Sequence, residues 1–320
     1  MSRLLVAGVP RSGTSWVGQA LACAVGARSV GEPDNEDNFP YAIQAKAGLG
    51  RLPVVAADGP APAAYEALWE GAFAGGGNWP SLRGPASLGL HAAAKRRRSV
   101  HGSADWSPGQ RAVLAAAVRL SHPGRPVDAR HVVVKTVFAP FALEWICRRF
   151  EPRLVVVTRG ALNTVASWQR LGWDPPLWRH PALADGGPDA LAQRVLTPEA
   201  ALRAPAAPAA DDRIRRLTWE LCVLMSVVFD VHSSRPGSVL VRHEDMCVDP
   251  LEKFRGVYER LGLGWTSRTD TFLRASNRAG TGRYDTTRVA SEEADRWRGR
   301  LDASQARQVE EVVGSFGLDW

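Results

Sequence analysis

The stretch GVPRSGTSW, Gly8 to Trp16, puts two glycines, three hydroxyls and an arginine within nine residues. A phosphate cradle of the form G-x-x-x-x-G-K-[ST] uses its glycines to turn backbone N–H groups toward phosphate and its lysine to reach the outer phosphates. Gly8, Gly13 and Ser15 meet that pattern, but Thr14 stands where the lysine belongs. An apolar run, Leu4 to Val9, leads into the loop, and helical spacing at Trp16, Ala20, Leu21 and Ala24 leads out of it. That order is strand, turn, helix, which aims backbone amides at an anion. A turn that only joins two elements is the plainer alternative; Ser12, Thr14, Ser15 and the fixed fork of Arg11 favour an anion site.

The rest of the chain narrows the anion. A nucleoside triphosphatase needs the cradle lysine and a metal-holding acid after a hydrophobic strand. Here "VVVTRG" ends a strand on Arg159, which suits a second anion better than a metal. Two readings from another class stay open: a small-molecule kinase of the P-loop type, and a non-catalytic nucleotide-binding module. A kinase is expected to bind ATP with Mg²⁺ and to be indifferent to a second phosphate at Arg159, whereas a binding module would keep the whole pocket and show no turnover.

Together these residues resemble the sulfotransferases that use 3′-phosphoadenosine 5′-phosphosulfate (PAPS). The family's loop P-[KR]-[ST]-G-T-[ST]-W stands here as Pro10-Arg11-Ser12-Gly13-Thr14-Ser15-Trp16, and its strand-end arginine with a serine eight positions later stands as Arg159 and Ser167. "VVVKT" and "VRHEDM" resemble two further stretches of the family, so the likeness runs over Arg3–Ala24 and His131–Gly262. It implies that Arg11, Ser12, Gly13, Thr14, Ser15 and Trp16 hold the 5′ end of the donor, Trp16 either stacking on adenine or lying in the core. Arg159 and Ser167 would hold the 3′-phosphate. PAPS is then a co-substrate, its product is the 3′,5′-bisphosphate PAP, and no metal is required.

Two departures shift the expected chemistry. Relatives of the eukaryotic cytosolic type continue K-T-H with a catalytic histidine, whereas Val137 follows Lys135-Thr136 here. Bacterial and Golgi-type relatives use an early glutamate, which points to Glu32 in "SVGEPD" as the base, with Asp34, Glu36 and Asp37 as rivals and a surface-turn role as the plain alternative. Lys135 assists or is a structural partner. His243 stands where relatives often have a tyrosine beside adenine, and either stacks or packs. Arg278, Arg283 and Arg288 in the late loop are candidates for phosphate or for solvent. Trp168, Trp173 and Trp178 either floor an acceptor pocket or anchor a Pro-rich loop. The acceptor is expected to be an alcohol on a small molecule, a carbohydrate or a glycolipid, in the manner of secondary metabolism.

The elements that must position these groups follow from hydrophobic pattern. "RLLVAGV", "HVVVKTV", "RLVVVTRG" and "GSVLVRHEDM" are near-continuous apolar runs, each followed by a helical stretch. Such alternation predicts an α/β fold in three layers, a mostly parallel sheet with helices on both faces. At 320 residues one domain, 1–320, is expected, with acceptor-facing insertions around 50–130 and 175–212. "ALRAPAAPAADDR", Ala201 to Arg213, reads as a mobile surface loop, and the C-terminal stretch as a closing helix pair.

Composition adds exclusions. Apolar content of 45% and charged content of 23% are ordinary for a globular chain. Lys and Arg total 40, yet only Lys46, Lys95, Lys135 and Lys253 are lysines, a bias that weakens any reading of the +7 net charge. Nucleic acid is not an expected partner. The run Lys95–Arg98 reads first as a solvated face and leaves peripheral membrane contact open; a homo-oligomer stays open too. Cys23, Cys147, Cys222 and Cys247 lack metal-ligand spacing and are expected to be reduced and buried, in a cytoplasmic protein without a leader or membrane span.

Overall fold

A computed structural model describes residues 1–76, 83–95, 100, 106–124, 126–173, 176–180, 186–276 and 295–318. Five strands carry the fold: β1 (Ser2–Gly8), β2 (Ala27–Gly31), β3 (His131–Thr136), β4 (Arg153–Thr158) and β5 (Val239–Arg242). They form one sheet in the order β2-β3-β1-β4-β5, every pair parallel. The register sets Val6 opposite Lys135 and Lys135 opposite Gly31.

Fourteen α-helices lie among the described residues. Along the first half run α1 (Thr14–Leu21), α2 (Pro40–Ala45), α3 (Ala63–Phe73), α4 (Arg83–Lys95), α5 (Pro108–Leu120), α6 (Leu143–Phe150) and α7 (Ala161–Leu171). The second half adds α8 (Gly187–Val195), α9 (Pro198–Arg203), α10 (Arg213–Ser233), α11 (His243–Val248), α12 (Pro250–Arg260), α13 (Ser267–Ser276) and α14 (Ala303–Phe316).

Because strand side chains alternate between faces, the apolar runs feed two cores. Leu4, Val6, Val133, Val155, Val157, Val239 and Val241 face α1, α12 and α13. Leu5, Ala7, Val132, Val134, Leu154 and Val156 face the larger layer, which includes α3, α6, α7, α10 and α14. This is the expected three-layer α/β arrangement, with every strand parallel.

Two local expectations are corrected. The Ala/Pro stretch after Ala201 is not a bare surface loop: it begins inside α9, Ala200 and Ala201 are buried, Pro205 O accepts from Trp219 Nε1 at 2.9 Å, and Ala207 N donates to Asp189 Oδ1 at 2.7 Å. Small side chains let this backbone lie close on α10. The chain closes with a short 3-10 turn, Arg296–Gly299, and the single helix α14, capped by Asp302 and Gln305, instead of a helix pair. Arg96–Arg98 of the basic run and Arg278, Arg283 and Arg288 lie outside the described residues.

Candidate active site

β1 and β4 are neighbours, and the chain leaves them for opposite edges of the sheet, from β1 toward β2 and from β4 toward β5. A switch point of this kind opens a ligand crevice at the carboxyl ends of the strands. The loop after β1 forms one wall. Arg11 and Gly13 both take left-handed backbone, at φ 72° and 97°, and a Cβ added to Gly13 would stand 2.3 Å from His243 Cδ2. Glycine is therefore required there. Gly13 is the N-cap of α1 and supplies no side-chain cap, which leaves amides of the first turn to a ligand.

Side chains distant in sequence converge on this loop. Arg11 Nε donates to Ser167 Oγ at 3.1 Å, and Arg159 Nη1 donates to Arg11 O at 3.4 Å. Ser167 and Arg159 are both buried. Trp168 Nε1 donates to Pro10 O at 2.8 Å, so α7 braces the loop from behind. Ser12 Oγ in the loop and Thr158 Oγ1 at the end of β4 are buried without a hydrogen-bond partner. An orphaned buried hydroxyl costs about 1–3 kcal/mol, and two of them, one in the loop after β1 and one at the end of β4, suit a site built for a polar ligand.

One contributor was not singled out from sequence. Glu244 Oε1 accepts from Gly160 N at 3.1 Å and Asn163 Nδ2 at 3.2 Å, and lies 3.9 Å from Arg159 Nε. It fixes the start of α7 and the aim of Arg159. Its signal was the stretch VRHEDM; its partners lie more than 80 residues away. Trp16 is placed in the core, its ring 5.1 Å from Phe254 and 5.7 Å from His243, its N–H given to Ser276 Oγ at 2.9 Å. His243 is buried against it, with Nδ1 3.8 Å from Cys247 Sγ.

The second wall follows β2. Glu32 takes φ 49° and its N–H donates to Lys135 O at 2.6 Å. Its carboxylate forms an ion pair with Lys135 Nζ and accepts from Asn35 Nδ2 at 2.7 Å, while the side chain stays 19% exposed. The Lys135 stem runs beside Gly18 of α1, whose added Cβ would stand 3.4 Å from Lys135 Cβ. Lys135 thus stands between the acid and the helix that follows the loop.

The rival acids are held otherwise. Asp34 is wholly buried and accepts from Thr136 Oγ1 at 2.9 Å; burial pushes its carboxyl up to about 6, against the opposing pull of Lys46 and of that hydrogen bond. Glu36 forms a buried pair with Lys46 at 2.8 Å. Asp37 Oδ1 accepts from Val100 N at 2.8 Å, with Lys95 and Arg51 each 3.8 Å from the carboxylate. Glu32 alone of the four touches a lysine at the carboxyl end of β3.

Of the three indoles that follow Ser167, Trp168 is fully buried with Trp173 stacked on it at 5.5 Å, and Trp178 packs edge-on to Trp219 at 5.3 Å. All four cysteines are buried and none of them forms a disulfide. Among the described residues no group of three or more His, Cys, Asp or Glu is arranged to hold a metal ion, and no helix is long and apolar enough to cross a membrane.

The chain matches no family model and no curated protein. Among solved structures it is similar to the sulfotransferase domain of the Synechococcus PCC 7002 olefin synthase, at 14% identity and TM-score 0.47 over 100% of this chain and 96% of that one. The sulfotransferase domain of the curacin biosynthetic pathway is similar at 11% identity and TM-score 0.47, over 100% and 99% of the two chains. A sulfotransferase from Mycobacterium avium is similar at 14% identity and TM-score 0.39, over 99% of this chain and 77% of that one. These three neighbours are bacterial sulfotransferase structures; at such identities nothing about substrate or donor passes from them to this chain.

Proposed function

We propose that the protein is a single-domain sulfotransferase that moves a sulfuryl group from PAPS to a hydroxyl of a small-molecule, carbohydrate or glycolipid acceptor. The observation that carries this reading is the junction of two anion sites: Arg11 Nε on Ser167 Oγ at 3.1 Å and Arg159 Nη1 on Arg11 O at 3.4 Å. A cradle for a triphosphate has no use for a second arginine–serine pair wired to it. A donor with phosphate on both sides of its ribose does.

When bound, PAPS supplies an electrophilic sulfur with PAP as leaving group. Arg11 and the first amides of α1 hold negative charge at the 5′ end, and Arg159 and Ser167 hold the 3′-phosphate. Glu32 accepts the proton of the acceptor hydroxyl, while Lys135 and Asn35 keep its carboxylate in place. The arginines and Lys135 supply counter-charge that in phosphoryl transfer comes largely from a divalent ion. With four buried cysteines outside any disulfide, a reducing cytoplasm is the matching compartment.

Calorimetry tests the donor reading. PAP is expected to bind without Mg²⁺ and well above ADP, and Arg159→Ala is expected to abolish that preference. Equal binding of the two nucleotides, or ADP binding that needs Mg²⁺, would overturn the reading in favour of a kinase.

A further inference from the structure

On the reading above, an acceptor meets Glu32 on the β2–β3 side of the sheet, next to the β1–β4 crevice that takes the donor. Cations on that side have their own acids: Lys135 has Glu32, Lys46 has Glu36 at 2.8 Å, and Lys95 donates to Asp37 O and stands 3.8 Å from its carboxylate. Arg51 is different. Its guanidinium carbon lies 4.7 Å from the Phe138 ring centroid and 5.4 Å from that of Trp173. Among the described residues its one ion pair is to Asp37 Oδ2 at 3.8 Å, on an acid already engaged by Val100 N. Its Nε is buried and makes no hydrogen bond, although the side chain as a whole keeps 23% exposure.

The neighbours fix where this cation sits. Phe138 follows β3 three residues after Lys135, and its N–H donates to Thr136 Oγ1 at 3.1 Å. Trp173 stacks on Trp168, whose indole holds Pro10 O of the anion loop. Arg51 is therefore wedged between the segment that carries Lys135 and the segment that braces the loop. Two aromatic rings keep its planar fork in one orientation, and such a fork matches the two oxygens of a carboxylate.

We propose that Arg51 is a specificity-determining residue that receives a carboxylate of the acceptor, so that the substrates are hydroxy acids in preference to neutral alcohols. This rests on the sulfotransferase reading.

The test uses PAP-saturated protein and matched probes, 4-hydroxybenzoate and 3-hydroxybutyrate against their methyl esters, with binding measured by calorimetry. A charge-assisted pair predicts at least ~10-fold tighter binding of the acids. That margin should vanish in Arg51→Gln, persist in part in Arg51→Lys, and leave PAP affinity unchanged. Equal binding of acids and esters, no acid-selective binding in either pair, or a preference that survives Arg51→Gln overturns the proposal and leaves the donor reading standing. Failure of the wild type to bind PAP removes the donor reading and this proposal with it. Should Arg51→Gln melt early, Asp37→Asn keeps Arg51 and removes its acid: acid affinity is expected to rise several-fold, and an unchanged affinity overturns the proposal.

Discussion

Glu32 and Arg11 share a backbone property that residues with side chains seldom adopt: φ of 49° and 72°. Left-handed backbone costs a non-glycine residue about 1–3 kcal/mol and persists where the surroundings over-determine it. Among the described residues one other, Glu151, shares it, and it merely caps the C-terminus of α6, where this conformation is ordinary. Strain thus marks the proposed base and the cation of the anion loop. Glu32→Gln keeps the shape and removes the proton acceptor, so turnover at saturating PAPS should drop by ~10²–10⁴ with PAP affinity unchanged; a loss of only a few-fold would take the base assignment away from Glu32. Asp34, two residues on, makes a prediction of a different kind. Its carboxyl titrates at about 6 in the folded chain against an ordinary 3.8, so between those values the native state holds a proton that the unfolded state has released. Stability from this group is therefore present at the acid end of the window and is lost as pH rises through about 6. Asp34→Asn should flatten that dependence, giving urea midpoints at pH 4.5 and pH 7 closer together than in the wild type; an unaltered difference would show that Asp34 does not carry it.

At the scale of elements, the loop proposed to bind the anion depends on the left-handed glycine that precedes α1. Gly13→Ala meets two obstacles, the left-handed backbone, worth about 1–2 kcal/mol, and the His243 ring 2.3 Å from the new methyl. The variant should melt earlier and bind PAP more weakly. Adding His243→Ala should recover the steric part and not the backbone part, so full recovery of both melting and affinity in the double variant would refute this account. The same loop shows why part of the site was legible in the sequence. Gly8, Gly13, Arg11, Arg159 and Ser167 belong to strand–turn–helix units whose pattern lies within a dozen residues, and Glu32 follows a short strand directly. Glu244 and Arg51 were not legible in their roles, because what defines them is a partner far along the chain: Gly160 and Asn163 for one, Phe138 and Trp173 for the other. The stretch after Ala201 misled for a related reason, since alanine and proline carry no periodicity even where they pack closely.

Across the whole molecule, one sheet divides two cores, and the division has consequences for function that the apolar runs alone do not express. Those runs predict parallel strands with helices on both faces, but the strand order, and with it the switch point between β1 and β4, depends on where each crossover lands. The smaller core, beneath α1, α12 and α13, holds Trp16 at the end of the anion loop, with Phe254 of α12 edge-on to it at 5.1 Å and 85°. The larger core holds Trp69 of α3, fully buried with its ring 6.2 Å from Tyr65 and 6.0 Å from Phe73. Truncating either aromatic should cost about 3–5 kcal/mol, through lost burial and the cavity left behind. The two losses should differ in what else they change. Phe254→Ala removes the wall against which Trp16 is seated, so PAP affinity of the folded protein should fall together with stability. Trp69→Ala acts on the opposite face, so PAP affinity of the folded fraction should hold while stability falls. Chemical melts combined with PAP calorimetry well below the melting point separate the two quantities, and equal affinity losses in both variants would mean that the sheet does not insulate the anion loop from the larger core.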